Sequence, residues 1–457
     1  MMNSKRNKAV FIVLAVLVVG CGIAVLLMFF GRQTHTAQRV VIEQECVVVY
    51  EGLLKDRYGA PVHADGETLH FMGRAGEYTV AFKGGKVCML SAQCPDQLCV
   101  HQGWCDDPRT PIVCLPQQVI ISIENVDDYG GDTGLESFTR REFLFDTLIE
   151  ITVYAPNEDE AQVALIGAFA EFSRIEGITV RYGDDLQAPS DVQRINNSAG
   201  IAPQVVDPDI IVMLSRAIKL SELGEGVFDP AIGPLVDLWG IGDSGQGQVP
   251  LQQDVKRLLP LIDMGKIQID EGQHTVFLPE PGMSLDLGGV AKGYATDMAV
   301  SALRRCGIEH AFINAGGNAY ALGGKPDGSA WRIGIQDPRH AGEILGVVEI
   351  YEGSVVTSGD NQRYFIADGV RYHHIFDPDT GYPAQGVWQS TIISSCSMDA
   401  DILSTMTFIL GPEKSRGLLD SLGISGIMVD DKAGIHLYKQ GNISFLPELS
   451  NGYSMAE

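Results

Sequence analysis

The chain has 457 residues, 33 Lys and Arg against 58 Asp and Glu, and a formal net charge of -25. At ~100 to 200 residues per domain this length predicts two or three domains. With 45% hydrophobic and 20% charged residues, wholesale disorder is excluded. A polyanion lacking a local basic patch repels phosphate backbones, so nucleic acid is not an expected partner.

Val10 to Phe30 reads VFIVLAVLVVGCGIAVLLMFF without a charge, and at 1.5 Å per residue about 21 residues span a hydrocarbon layer ~30 Å thick. This run is longer than the apolar core of a cleaved signal peptide, so an uncleaved anchor is expected. A lipoprotein box ending at Cys21 fits less well, because apolar sequence continues past the cysteine. Lys5, Arg6 and Lys8 precede the span and Arg32 follows it, which predicts a single-pass bacterial cell-membrane protein with a cytoplasmic N-terminus and everything beyond residue 32 outside the cytoplasm.

Residues 33–125 alternate apolar and polar in short runs such as TLHFMG, YTVAFKGGKVCML and IVCLPQQVIISI, the period of a small antiparallel β domain. Cys46, Cys88, Cys94, Cys99, Cys105 and Cys114 crowd this part, whereas Cys306 and Cys396 stand alone. Outside the cytoplasm such crowding suggests disulfides or free thiols. A metal or iron–sulfur site is the rival reading, although Cys105 breaks the plant-type ferredoxin spacing. His101, beside Cys99, reads as an ordinary hydrogen-bonded side chain rather than a ligand. The polar, glycine-rich stretch 126–138 reads as a linker, residues 139–447 as one large α+β domain, and 448–457 as a tail. Within the large domain, Asn157 to Ile175 has helical apolar spacing behind an acidic start. Val348 to Val356, Gln389 to Ile393 and Gly426 to Val429 read as strands.

Three constellations carry chemistry. Leu285-Asp286-Leu287-Gly288-Gly289-Val290-Ala291-Lys292 leads through a glycine pair into a helix running to about Cys306, an arrangement that lets a diphosphate approach the backbone. Asp399 to Thr405 opens another helix, ending near Gly411, in which Asp401 and Thr405 share a face; their hard oxygens suit Mg²⁺, although the same pattern also suits a plain helix with Asp399 as N-cap. Thr357-Ser358-Gly359-Asp360 and the His373-His374 pair before Asp-Pro-Asp-Thr-Gly form the third: His374 suits a general base or phosphate ligand, and His373 a structural role. The block from Phe228-Asp229-Pro230 to Trp239-Gly240 supplies apolar and aromatic walls.

In this order, from Phe145 to Thr405, the motifs resemble the bacterial FAD:protein FMN transferase family, also called ApbE-like. CPDQLCVHQGW and IVCLPQQVIISI resemble NusG domain II. The first resemblance implies Mg²⁺ held by Asp401, Thr405, nearby Ser404 and the main-chain oxygen of Gly289. It implies FAD contacts from Phe145, Tyr182, Phe228, Asp229, Asp286, Lys292 and Ala384. His374, Asp401 and Lys292 would be catalytic, and FMN would pass to a Thr or Ser hydroxyl of an acceptor protein with loss of AMP. The acceptor implied is an FMN-binding protein such as a subunit of a membrane redox ion pump. An FAD pyrophosphatase and a non-catalytic flavin-binding module are the alternatives.

Overall fold

The computed structural model describes residues 37–456 except 45–46, 57–58, 96, 108–109, 115, 127–133, 184–187, 242–246, 440–443 and 450. The apolar run at 10–30, and with it the expected anchor and Cys21, lies outside the described residues. No helix among the described residues is long and apolar enough to cross a membrane. The chain divides into two compact units, residues 1–128 and 129–457.

The first unit is built from two antiparallel sheets. One has four strands in the order Val47–Lys55, Ala37–Gln44, Val119–Val126, Ile112–Cys114; the other runs Thr68–Gly73, Gly76–Lys83, Lys86–Ala92. The turn between the last two strands is Gly84-Gly85, both with positive φ (59° and 72°), the conformation that tight hairpin turns demand and glycine adopts without penalty. Alternate residues point inward, so that Val40, Ile42, Leu54, Tyr78, Val80, Phe82, Met89 and Ile121 make a closed core. The CPDQLCVH stretch holds a single helical turn, Leu98–His101.

The second unit is organised on a nine-stranded sheet. In spatial order its strands are Ser454–Met455, Gly434–Tyr438, Ser425–Asp430, Val387–Ser394, Gly353–Gly359, Asn318–Leu322, Ala311–Ala315, Thr147–Ala155 and Glu136–Leu144. All neighbours are antiparallel except the first pair. The sheet is buried on both faces. Tyr320, Val356, Ile392 and Met428 point to a helical layer, while Ala321, Val355, Ile393 and Ile427 point to a second, three-stranded sheet of Trp331–Gln336, Ile344–Ile350 and Ser444–Pro447. That two-sided burial explains why these strands are nearly continuous apolar runs, with successive residues facing opposite ways.

The helical layer is formed by Glu158–Thr179, Pro208–Leu223, Ala291–Arg305 and Ser397–Leu422. The first starts where its sequence predicts: the Asn157 side chain accepts the Glu160 N–H at 3.0 Å, satisfying an orphan donor of the first turn. One expectation needs correction. The run from Val348 to Val356 is not one strand, because the chain turns at Tyr351-Glu352 and passes from the small sheet to the large one. The helix that opens at Ser397 ends where its sequence predicts, at Gly411 (φ 75°, ψ 177°), and a second helical segment starts at Pro412 and runs to Leu422.

Candidate active site

The Ser397–Leu422 helix enters the site with its first turn secured from outside. The Asp297 carboxylate accepts the N–H groups of Ser397 and Met398 at 2.8 and 2.9 Å, so Asp297, not Asp399, does the work of a cap. Asp399 instead takes two hydrogen bonds from Arg216, at 2.7 and 2.5 Å. Asp401 is thereby the acid that faces inward. It is buried, and its Oδ2 accepts the Gly293 N–H at 2.9 Å from the facing helix. Gly293 is required there, since a Cβ would lie 2.4 Å from the Ser397 carbonyl oxygen and 2.7 Å from the Asp401 Cβ.

Burial drives the Asp401 pKa upward, against the opposing pull of Lys292, the Gly293 N–H and the Asn318 side chain. A carboxylate in that setting carries negative charge its surroundings do not fully compensate. Asn318 is itself buried, and its Nδ2 makes no hydrogen bond of normal geometry.

One turn beyond Asp401 the hydroxyls form a chain. Ser404 Oγ donates to the Asp401 carbonyl at 2.9 Å and lies 2.8 Å from Ser358 Oγ, which lies 3.2 Å from Thr405 Oγ1. With the Ser404 proton committed, Ser358 donates to Ser404 and Thr405 donates to Ser358, which leaves the Thr405 lone pairs available to a cation. Gly289 closes this corner: a Cβ on it would sit 2.9 Å from the Phe228 ring and 3.6 Å from Thr405 Oγ1. Carboxylate, hydroxyl and main-chain oxygens with an uncompensated negative charge are a donor set that fits Mg²⁺.

The other end of the glycine loop is held by an arginine that sequence reasoning missed. Arg181 is almost entirely buried, and it donates to Asp286 at 3.4 Å, Gly233 carbonyl at 2.9 Å, Asp237 at 2.6 Å and Ser284 Oγ at 2.9 Å. Asp286 also accepts the Gly288 N–H at 2.8 Å, which shapes the loop. Tyr182 is exposed; its hydroxyl donates to Asp237 at 2.7 Å and accepts from Arg181 at 2.5 Å. Beside this cluster opens a cavity of ≈ 700 Å³, lined by Arg181, Tyr182, Gln193, Asn196, Asp237 and Ser284 among others. A second cavity of ≈ 690 Å³, around Tyr351, Ser394 and Ser425, contains none of the sequence-predicted site residues.

His373 and His374 differ sharply. Both nitrogens of buried His373 are occupied: Nε2 faces the Ala384 carbonyl at 2.9 Å and Nδ1 accepts the Ile375 N–H at 3.2 Å. His374 Nδ1 faces the Arg363 carbonyl at 3.3 Å. A carbonyl only accepts, so Nδ1 carries the proton and Nε2 presents its lone pair. Burial, followed by Arg363, His373 and Lys292, pushes its pKa down to about 3. Lys292 thus lies within electrostatic reach of both His374 and Asp401.

The structure gathers Phe228, Gly289, Lys292, Asp401, Ser404, Thr405 and His374 around one end of the loop, and Tyr182 and Asp286 through Arg181 around the other. Three further predicted contacts have partners of their own. Both Asp229 oxygens accept backbone N–H groups, from Ala231 at 2.7 Å and Met264 at 2.8 Å. Phe145 sits in a hairpin turn with Asp146, both left-handed (φ 53° and 55°), its N–H given to Glu176 and its ring edge-on to Phe172. Ala384 is buried beside His373. Trp239 is fully buried among Tyr372, Phe376 and Tyr382, its Nε1 donating to the Gly381 carbonyl at 3.0 Å, and so belongs to the core.

A family model described as the ApbE family matches residues 145–428, covering every element just described. The chain belongs to the ApbE family of FAD:protein FMN transferases. A model for NusG domain II matches residues 10–127. The FAD:protein FMN transferase of Treponema pallidum is 37% identical over 310 residues, 64% of this chain and 84% of its own. That of Klebsiella pneumoniae is 39% identical, over 62% of this chain and 90% of its own. Among solved structures, the ApbE protein of Thermotoga maritima superposes with a TM-score of 0.61 at 32% identity, covering 66% of this chain and 97% of that one. The flavin transferase ApbE of Vibrio cholerae superposes at 0.58 and 25% identity, covering 69% and 97%. This ApbE-family chain therefore has a mixed α/β transferase unit preceded by a β unit.

Proposed function

We propose that this enzyme moves FMN from FAD to a threonine or serine hydroxyl of an acceptor protein, forming a phosphoester and releasing AMP, with Mg²⁺ held by Asp401, Thr405 and the Gly289 carbonyl. The observation that carries the reading is the meeting of a buried carboxylate, a hydroxyl with free lone pairs and a side-chain-free backbone corner in one place.

The acceptor oxygen forms a bond to the FMN-side phosphorus while the bond from that phosphorus to the AMP oxygen breaks. Its proton passes to His374 Nε2, the ring nitrogen that the Arg363 carbonyl leaves unprotonated. The same tautomer favours the base role over that of a phosphate ligand, since Nε2 has no hydrogen to give. A pKa near 3 makes a weak base, but it is depressed partly by cationic neighbours, and a bound diphosphate would offset them. Lys292 neutralises charge on the phosphates, and the Asp286–Gly289 loop positions them. Bound Mg²⁺ would supply further neutralisation of the diphosphate and leaving group. Such transfers depend on positioning and electrostatics more than on covalent help from the enzyme.

The charge-free run at 10–30 and the basic residues before it support a single-pass anchor with the transferase outside the cytoplasm. The acceptor would be an FMN-binding protein on that side, such as a subunit of a membrane redox ion pump. The test is incubation of the purified chain with FAD, Mg²⁺ and a candidate acceptor. A mass gain on the acceptor equal to FMN minus water, abolished by chelation and restored by Mg²⁺, is expected. Release of free FMN at the same rate with or without acceptor would replace this reading with FAD hydrolysis.

A further inference from the structure

The first unit contains a cluster that the transferase reading does not use. Cys94 follows the Lys86–Ala92 strand, Cys99 lies on the Leu98–His101 turn, and Cys114 ends the Ile112–Cys114 strand. These elements bring three sulfurs within 4.8 Å of one another, with Cys94 and Cys99 at 3.6 Å. All three are buried, with 4%, 2% and 2% exposure. No disulfide joins any two of the seven described cysteines.

The loop that carries the first two is built to hold them. Gln97 adopts a left-handed backbone (φ 55°), unusual for a residue with a side chain. Its side-chain amide donates to the carbonyls of Ala92 at 2.6 Å and Cys94 at 3.2 Å. Its own N–H faces the Cys94 sulfur, the kind of contact that orients a thiolate ligand and tunes its charge.

We propose that Cys94, Cys99 and Cys114 form a three-thiolate site for a soft metal ion, Zn²⁺ or Cu⁺. With metal–sulfur bonds of about 2.3 Å, sulfurs sharing one ion lie about 3.8 Å apart in a tetrahedron and about 4.0 Å apart in a trigonal plane. The observed span accommodates both. Iron–sulfur clusters take four protein ligands, usually cysteines, and among the described residues Cys88 and Cys105 fall outside the trio. Thiolate softness selects Zn²⁺ and Cu⁺ over Mg²⁺ or Ca²⁺. Each thiol that ligates loses its proton to solvent, so uptake releases protons. The three sulfurs come from three separate elements, so an ion there ties the helical turn to both sheets of the β unit.

The experiment uses the full chain, reduced under anaerobic conditions, mixed in separate arms with Zn²⁺, Cu⁺ and Co²⁺, then desalted and assayed for metal. The expected result is one tightly held ion per chain. Thiolate-to-cobalt charge-transfer absorption should appear in the Co²⁺ arm. Retention in the Zn²⁺ arm points to a four-coordinate site completed by one more ligand, and retention in the Cu⁺ arm alone to a trigonal one; both support the proposal. Cys94→Ser, Cys99→Ser and Cys114→Ser should each weaken retention at least tenfold, while Cys88→Ser and Cys105→Ser, which also alter partly or fully buried thiols, leave one ion bound. Failure of the reduced wild type to retain any of the three ions overturns the proposal, as does unchanged retention after all three substitutions together. Should a serine variant not fold, the cobalt spectrum of the wild type still decides.

Discussion

Two buried groups of potential ligands lie in the two units of this chain, and they are chemical opposites. Around Asp401 the donors are oxygens, the acid is held charged only against burial, and a lysine stands close by. Around Cys99 the donors are sulfurs in an apolar core. The oxygen group lies beside a glycine loop; the sulfur group is nearly closed on itself, its three buried sulfurs within 4.8 Å of one another. An open set of hard donors suits chemistry on a phosphate, and a closed set of soft donors suits structure.

Substitutions can separate the two. Asp401→Asn should lower flavin transfer at least about 10³-fold, because it removes the charge around which the site is organised. FMN attachment to the acceptor, followed by mass spectrometry, measures it. The ion bound by the cysteine trio should be untouched; loss of both together would mean that the two groups are not independent.

His374→Gln should reduce kcat by about 10²-fold, the ordinary worth of a general base. It should also change how stability depends on pH. The His374 pKa falls from 6.5 to about 3 on folding, so between those values the unfolded chain binds the extra proton. Stability is therefore lost as pH falls through that window. Melting curves of the glutamine variant should show a flatter dependence there, and an unchanged slope would remove His374 from the enclosed position assigned to it. Asp401 acts in the opposite sense: its raised pKa makes folding less favourable as pH rises above the unfolded value near 3.8.

Gly289→Ala places a methyl 2.9 Å from the Phe228 ring, and the small displacement should cost roughly tenfold in kcat/KM. Steady-state kinetics with saturating Mg²⁺ tests this. Tyr182→Phe should do least. It removes two exposed hydrogen bonds, one given to Asp237 and one taken from Arg181, each worth about 1 kcal/mol at most; an effect much larger would mean that the hydroxyl touches the flavin.

What the sequence made readable was local. Asp401 and Thr405 are four apart, and helix periodicity puts them on one face whatever the rest of the fold does. The helix behind Asn157 is equally local. Arg181 was invisible because its importance comes from Asp286, 105 residues away; Ser358 stood in the singled-out Thr357-Ser358-Gly359-Asp360 stretch, but its role was hidden because its partners Ser404 and Thr405 arrive from another element. Arg181 lies beside Tyr182, which sequence reasoning had singled out, and that is the one signal that could have found it. The turn at Tyr351-Glu352 was hidden for a different reason: strands buried on both faces on either side of it merge into one apolar run.

Gly293 takes no part in any proton or phosphate step, yet it acts as the gauge block between the two helices that carry Lys292 and Asp401. Any larger residue would push those helices apart, because its Cβ would lie 2.4 Å from the Ser397 carbonyl oxygen and 2.7 Å from the Asp401 Cβ. A kinetic survey would score the position as essential chemistry, when what it supplies is a distance.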